Sequence, residues 1–490
     1  MEVLSVSSEI FPLIKTGGLA DVTGSLPKAL SSHDIRTRTL VPGYRQVFAA
    51  LEDFREVARL ELLGNSTRVL QASICGLDLY VLDAPELFDR AGGPYVDETG
   101  VDHIDNSLRF ATLSFAAAEL ATGAHAGWRP DLVHIHDWQG ALTSVYLRYV
   151  KSSDLPALLT IHNLAFQGQF PFSRLLDLGL PPEAYSIDCL EYYGDVSFLK
   201  GGIQTSDAVT TVSPTYAREI LANGLGMGME GVLKARRKHL YGIVNGLDPE
   251  IWCPRTDPYL CSNFDYRTVA RRRINRKHLI DHFGLPNGSG PIFSIVSRLT
   301  WQKGMDLLME TIPHLVEAGG RLIVCGQGDR NIERQLRRMA SLYPANVAVR
   351  IGYDEETAHM LHGGSDFVIQ PSRFEPCGLT QLYALRYGAV PIVSRTGGLS
   401  ETIIDANDAA MAAEVATGIQ FHPVTAEQLQ HALDRAITIF RHPQQFRRLQ
   451  MQGMKTNFSW DTSARRYAAL YRQLTGTGCA APVWQERKAG

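Results

Sequence analysis

Glu375 stands in the stretch Pro371-Ser372-Arg373-Phe374-Glu375-Pro376-Cys377-Gly378-Leu379-Thr380-Gln381, which sets a carboxylate beside a glycine-containing turn where a helical pattern begins. Free N–H groups at such a helix start, here those of residues 378 to 380, suit an anion, and a neighbouring carboxylate suits hydroxyl groups. The combination is a place to hold a sugar phosphate. A second turn, Lys15-Thr16-Gly17-Gly18-Leu19-Ala20-Asp21, offers backbone that can approach a phosphate closely, with a full positive charge beside it. It lacks the spacing of a Walker loop. A third, Ser297-Arg298-Leu299-Thr300-Trp301-Gln302-Lys303-Gly304, carries two more cations. Singly, each has an ordinary reading: Glu375 as a solvated helix-start charge in a turn shaped by Pro376 and Gly378, Arg298 and Lys303 as exposed surface charges. Three anion-suited turns in one chain, each following a strand pattern, argue against coincidence. His134-x-His136-Asp137 places two imidazoles on one strand face, an arrangement a metal would also use.

These turns need strands to aim them. Short apolar runs at Val3 to Ser7, Thr37 to Val41, Leu132 to His136, Leu158 to Ile161 and Val209 to Val212 alternate with helical patterns, which predicts a parallel sheet with crossover helices. A second series follows at Ile292 to Val296, Leu322 to Cys325, Val347 to Ile351, Phe367 to Gln370 and Val390 to Val393. In each half, the candidate turns fall at carboxyl ends of strands, where open α/β sheets bind ligands. The segment Tyr241 to Pro249 has turn chemistry and no strand partner in view, so the hinge is expected there. The expected domains are residues 1–242 and 243–461, followed by a final helix from about 462, capped by Asp461, inside the segment 462–490. Gly, Pro and Ala suggest that the tail from Gly476 to Gly490 is mobile.

A chain of 490 residues exceeds what one core usually serves, in keeping with two domains. A formal charge of −3 leaves no footprint for nucleic acid, and the basic cluster Arg267, Arg271, Arg272, Arg273, Arg276 and Lys277 reads as a solvated helix face. Seven cysteines, an odd number without a Cys-x-x-Cys pair, argue against a disulfide framework and a zinc site. No segment approaches the ~20 apolar residues that span a bilayer. Met1-Glu2 leads straight into the first strand, so no targeting peptide is expected and the protein is read as cytoplasmic and bacterial.

K-T-G-G-L-A-D at 15–21, H-x-H-D-W at 134–138, T-I-H-N at 160–163, S-R-L-x-x-Q-K-G at 297–304 and the 371–381 stretch resemble the bacterial glycogen synthases and plant starch synthases of glycosyltransferase family 5. The resemblance runs from residue 2 to about residue 475, with the motifs in the family's order. It implies a GT-B fold of two doubly wound Rossmann-like domains facing a central cleft, with the segment 462–490 packing back on the first domain. It also implies a retaining glucosyltransferase that moves glucose from ADP-glucose to the non-reducing end of an α-1,4-glucan, glycogen or a maltooligosaccharide. Charge that develops on the departing diphosphate would be offset by Lys15, Arg298 and Lys303, so neither a metal nor a cofactor is expected.

By the same resemblance, Glu375 is the key acid that holds sugar hydroxyls near the reacting centre, and His162 holds the glucose 6-hydroxyl and lends its carbonyl near the anomeric carbon. Asp137 and Asn245 contact glucose or acceptor. Gly17 and Gly18 line the donor phosphates, and Cys377, Gly378, Leu379 and Thr380 bring backbone N–H groups to the sugar and distal phosphate. Tyr353 stacks on adenine; Tyr95 and Trp138 serve the acceptor. Tyr383 replaces the ribose-binding glutamate that many retaining GT-B enzymes carry eight residues after the first, a departure that fits the glycogen and starch synthase branch. A pyridoxal-phosphate glucan phosphorylase would need a Schiff-base lysine and a longer chain. A catalytically silent glucan-binding protein would have lost the carboxylate or cations, and all are present. With cations in both halves assigned to one diphosphate, the unliganded cleft is expected to hold unpaired, mutually repelling charges that donor binding draws together.

Overall fold

The computed structural model describes residues 1–123 and 127–477. Expectations for the tail past Thr477 therefore lie outside the described residues. The chain forms two compact units: Met1–Gly246 together with the segment from Trp460 onward, and Leu247–Ser459.

The strands of the first unit are β1 (Glu2–Val6), β2 (Arg36–Pro42), β3 (Arg55–Leu62), β4 (Asn65–Ile74), β5 (Leu77–Asp83), β6 (Leu132–His136), β7 (Ala157–Ile161), β8 (Gln169–Phe170), β9 (Glu191–Tyr192), β10 (Asp195–Ser197), β11 (Ala208–Thr211) and β12 (Leu240–Gly242). Nine of them form one sheet in the order β12-β11-β7-β6-β1-β2-β5-β4-β3, and β8 to β10 make a small antiparallel sheet. Helices α1 (Gly18–Ser31), α2 (Asn106–Thr122) and α3 (Asp137–Tyr149) serve the site. Val3, Leu4 and Val6 of β1 and Leu132, Val133 and Ile135 of β6 are fully buried, as parallel strands covered on both faces require. Since β1 pairs with β2 on one side and β6 on the other, the chain reverses its direction of travel across the sheet at β1. The crevice at such a switch point opens at the carboxyl ends of β1 and β6.

Two features depart from expectation here. Strands β3, β4 and β5 pair antiparallel, so the sheet is mixed. Their two hairpins turn on Leu63-Gly64 and Cys75-Gly76, with positive φ at all four residues, the two-residue turn whose twist matches the strands it joins. Tyr241 and Gly242, read as hinge, belong to β12 and pair with β11; the change of unit falls at Gly246/Leu247.

The second unit has one parallel sheet, from β13 (Ile292–Val296), β14 (Arg321–Gly326), β15 (Val347–Ile351), β16 (Phe367–Gln370), β17 (Val390–Ser394) and β18 (Ile419–Phe421), in the order β15-β14-β13-β16-β17-β18. Helices α4 (Arg272–His282), α5 (Met305–Glu317) and α6 (Thr380–Tyr387) pack around it. Its switch point lies between β13 and β16, whose following turns carry Arg298 and Glu375. The basic cluster is only partly a solvated face. Arg272 is buried and donates to the carbonyl oxygens of His362 and Ser365, and Arg276 pairs with Asp366, because helix α4 lies against the ends of buried elements whose carbonyls need donors.

The last helix, α7 (Trp460–Leu474), begins before Asp461, which sits in its first turn and is not its cap. Trp460, Ala464, Tyr467, Ala468 and Tyr471 pack with Val3, Val22, Leu26, Leu30, Leu132 and Leu158 in the core of the first unit. Among the described residues, no helix is long and apolar enough to cross a membrane.

Candidate active site

In the second unit the turns after β13 and β16 are stitched together. Gly304, at φ +68°, lies so close to Pro371 that a Cβ would sit 2.0 Å from its carbonyl oxygen. The Arg373 N–H donates to Gln302 O at 2.9 Å, and its guanidinium grips Asp306 through two bonds of 2.7 and 2.6 Å while stacking on Trp301. That fixes the loop carrying Glu375. The Glu375 carboxylate, 6% exposed, accepts from Lys303 Nζ at 2.5 Å and from Ser372 Oγ at 3.0 Å. Arg298 reaches the side chain of Gln302 at 3.4 Å. Beyond Gly378, at φ +74°, the N–H groups of Gly378, Leu379 and Thr380 have no acceptor among the described residues, and these three residues are half-buried. A carboxylate, two cations and a row of outward N–H groups thus share one end of the sheet, an array suited to a phosphorylated sugar.

In the first unit, Lys15 pairs with Asp21 at 2.9 Å. The glycine turn that follows is organised by Glu9, which is 3% exposed. Its carboxylate accepts from Thr16 N at 2.6 Å, Thr16 Oγ1 at 2.5 Å, Gly17 N at 3.2 Å and the Tyr95 hydroxyl at 2.5 Å. Burial and the Glu9 charge hold the Tyr95 phenol well above its usual range. At the end of β6, Asp137 has a positive φ of 53°, a strained state for a residue with a Cβ. It accepts from the N–H of His162 at 2.7 Å, and burial pushes its carboxyl up to about 7. His162 Nε2 meets His136 Nδ1 at 3.0 Å, and burial drives the His162 imidazole down to about 3, so it is neutral in ordinary buffers. Asn245 is 6% exposed and its Oδ1 has no hydrogen-bond partner among the described residues, which leaves it an acceptor to offer.

The model of a family described as the starch synthase catalytic domain matches residues 2–235, and that of glycosyl transferases group 1 matches residues 279–448. Glycogen synthase 2 of Rhizobium meliloti is 55% identical over 475 residues, 97% of this chain and 98% of that protein. Glycogen synthase of Rhizobium rhizogenes is 56% identical over 98% of this chain and all of its own length. This chain belongs to the glycogen synthase family. Among solved structures, the catalytic domain of starch synthase IV from Arabidopsis thaliana, bound to ADP and acarbose, is 30% identical with a TM-score of 0.89, covering 97% of this chain and 99% of that one. The two Rossmann-like units are those of the GT-B fold.

For a glycogen synthase family member, three placements differ from the sequence reading. The two lysines are not unpaired: Lys15 and Lys303 each have a carboxylate of their own unit, Asp21 and Glu375, which offsets their charge in the unliganded protein. The Gly17 N–H is taken by Glu9, although a Cβ at Gly17 would meet nothing within 4 Å, so the open space lies on the other side of the turn. Trp138 is 8% exposed and packs among Phe110, Phe170 and Phe198, a core role in place of an open acceptor platform. Tyr353 does stand out, 47% exposed, its hydroxyl donating to Glu355 at 2.6 Å. Cys377 is buried behind the turn. Gly18 begins α1 and Gly378 precedes α6. Among the described residues, no group of three or more His, Cys, Asp and Glu side chains is placed to hold a metal ion. Glu9, Ser372 and His136 join the candidate residues through their contacts: the sequence marks Glu9 only as an acid shortly before a Thr-Gly-Gly turn, and nothing in it marks Ser372 and His136 as neighbours of Glu375 and His162.

Proposed function

We propose that the protein transfers glucose, with retention at the anomeric carbon, from ADP-glucose to the non-reducing end of an α-1,4-glucan, elongating glycogen. The observation that carries this reading is Glu375 held between Lys303 and Ser372 beside the unpartnered N–H groups of residues 378 to 380. A donor diphosphate competes with Glu375 for Lys303 and takes the free N–H groups. The released carboxylate then turns to the glucose hydroxyls. Arg298 and Lys303 of the second unit are assigned to the diphosphate, where they offset the negative charge that grows as the bond to the anomeric carbon breaks. They supply what a metal supplies to other phosphate enzymes, and no cofactor is required.

Tyr353 offers its exposed ring to adenine, a larger face than a pyrimidine presents. His162, neutral and held at Nε2 by His136, has Nδ1 left for the 6-hydroxyl of glucose. Asp137 and Asn245 meet sugar hydroxyls, and Tyr95 lies on the acceptor side. Supporting the reading, the starch synthase of similar fold was solved with ADP and acarbose, a nucleotide and an oligosaccharide analogue. Transfer of radiolabel from ADP-glucose and from UDP-glucose to glycogen tests it. Incorporation from ADP-glucose with clear preference is expected. No incorporation from either donor overturns the activity, and equal or better use of UDP-glucose overturns the donor.

A further inference from the structure

Gln381 is completely buried in the first turn of α6, and nothing above gives it a task. Its side-chain Nε2 donates to Cys377 O at 3.1 Å, Gly378 O at 2.9 Å and Thr402 Oγ1 at 3.2 Å. The Thr402 hydroxyl commits its own proton to Gly398 O at 2.8 Å, so it too acts as acceptor. Three acceptors on one side fix the amide with its NH2 group there. The turn is clamped from a second side as well. The Gly398 N–H donates to Glu375 O, and a Cβ on Gly398 would fall 2.2 Å from Cys377 O. Gly378 is fitted to the glutamine, since a Cβ on it would lie 2.5 Å from Gln381 Oε1.

In a trans peptide the carbonyl and the following N–H point in opposite directions. Holding the carbonyls of Cys377 and Gly378 against a buried amide therefore turns the N–H groups of Gly378 and Leu379 the other way. These are the groups found without an acceptor. We propose that Gln381 is a positioning residue for the donor's distal phosphate, presenting two backbone N–H groups as a preformed cradle. The proposal rests on the nucleotide-diphosphate-sugar reading given above. Without the glutamine's donors, a flip of either peptide becomes less costly, and a flipped peptide would aim a carbonyl oxygen at the phosphate.

The distal phosphate is present in ADP and absent from AMP, which separates a cradle from general loosening of the fold. Calorimetric titration of the full chain is expected to show that Gln381→Met, similar in length but without a donor, weakens ADP by about 10-fold or more while AMP changes by less than about 2-fold. The KM for ADP-glucose rises with it, and the KM for glucan does not. Unchanged ADP affinity in Gln381→Met, or equal weakening of ADP and AMP, overturns the proposal and leaves the donor reading standing. A wild-type protein that fails to bind ADP overturns both. Should Gln381→Met not fold, amide hydrogen exchange on the wild type decides. Gly378 and Leu379 are expected to be protected by ADP and not by AMP, and equal exchange with both nucleotides overturns the cradle.

Discussion

Glu375 and Lys303 form a pair that is useful because it is replaceable. A carboxylate 2.5 Å from an ammonium keeps both groups satisfied in the free protein, yet a diphosphate carries more negative charge and can take the lysine from it. Glu375→Ala removes the acid proposed to face the sugar from a loop braced independently by Arg373 and Asp306. Turnover is expected to fall on the order of 10²-fold or more, with little change in thermal stability. A folded variant with near wild-type turnover would take Glu375 out of the site. Asp137 makes a prediction of opposite kind, about stability. Burial raises its carboxyl to about 7, whereas an unfolded aspartate ionises near about 4. Between those values the folded protein holds a proton that the unfolded chain has lost, so this residue's contribution becomes less favourable as pH rises from about 4 to about 7. Asp137→Asn keeps an acceptor for the His162 N–H and removes the buried charge. Melting curves at several pH values are expected to show the variant more stable than wild type at pH 8, the gap closing toward pH 5. A gap independent of pH would mean the carboxyl titrates normally.

The elements that position these residues succeed through close backbone approach. Gly304 has both a positive φ and no room for a Cβ against Pro371, so Gly304→Ala must push apart the turns that carry Lys303 and Glu375. It is expected to lower the melting temperature of the second unit and to cost more activity than stability alone explains; a variant with wild-type melting and turnover would show that the contact is dispensable. The strands of both switch points were legible because their residues are apolar and covered on both faces: Val3 to Val6, Leu132 to Ile135, Ile292 to Val296 and Phe367 to Ile369 stand out as runs. The β3 to β5 hairpins were not. Their turns, Leu63-Gly64 and Cys75-Gly76, hold leucine and cysteine at positive φ, where asparagine or aspartate would have marked a hairpin. Candidate residues inside glycine turns carry a signal in their type and spacing. Glu9 and Gln381 carry none, because each acts from a buried position on backbone groups, and a lone acid or amide carries no sign of which N–H or carbonyl it will meet.

At the scale of the molecule, the chain leaves the first unit at Gly246 and rejoins it at Trp460, so α7 completes a core begun more than four hundred residues earlier. Trp460, Tyr467 and Tyr471 are each at most 4% exposed there, against β1, α1, β6 and β7. The Tyr471 hydroxyl also meets His134 Nδ1 at 2.7 Å, two residues from the histidine that holds His162. Losing a large buried aromatic side chain costs about 3–5 kcal/mol, and a whole domain is stable by only about 5–15 kcal/mol. Three such losses are enough to unfold the first unit. The second unit closes its own cores, with Phe293, Leu322, Phe367 and Ile392 in one and Trp252, Leu279, Leu361 and Tyr387 in another, none of which draws on α7. A chain ending at Ser459 is therefore expected to lose the calorimetric transition of the first unit and keep that of the second, with Lys303, Glu375 and the 378–380 turn still folded and glucan synthesis gone. Tyr471→Phe, which keeps the ring and loses only the hydroxyl, should retain both transitions. If the shortened chain melts as the full chain does, the helix is an ornament of the first unit. If both transitions vanish together, the second unit depends on the first to fold.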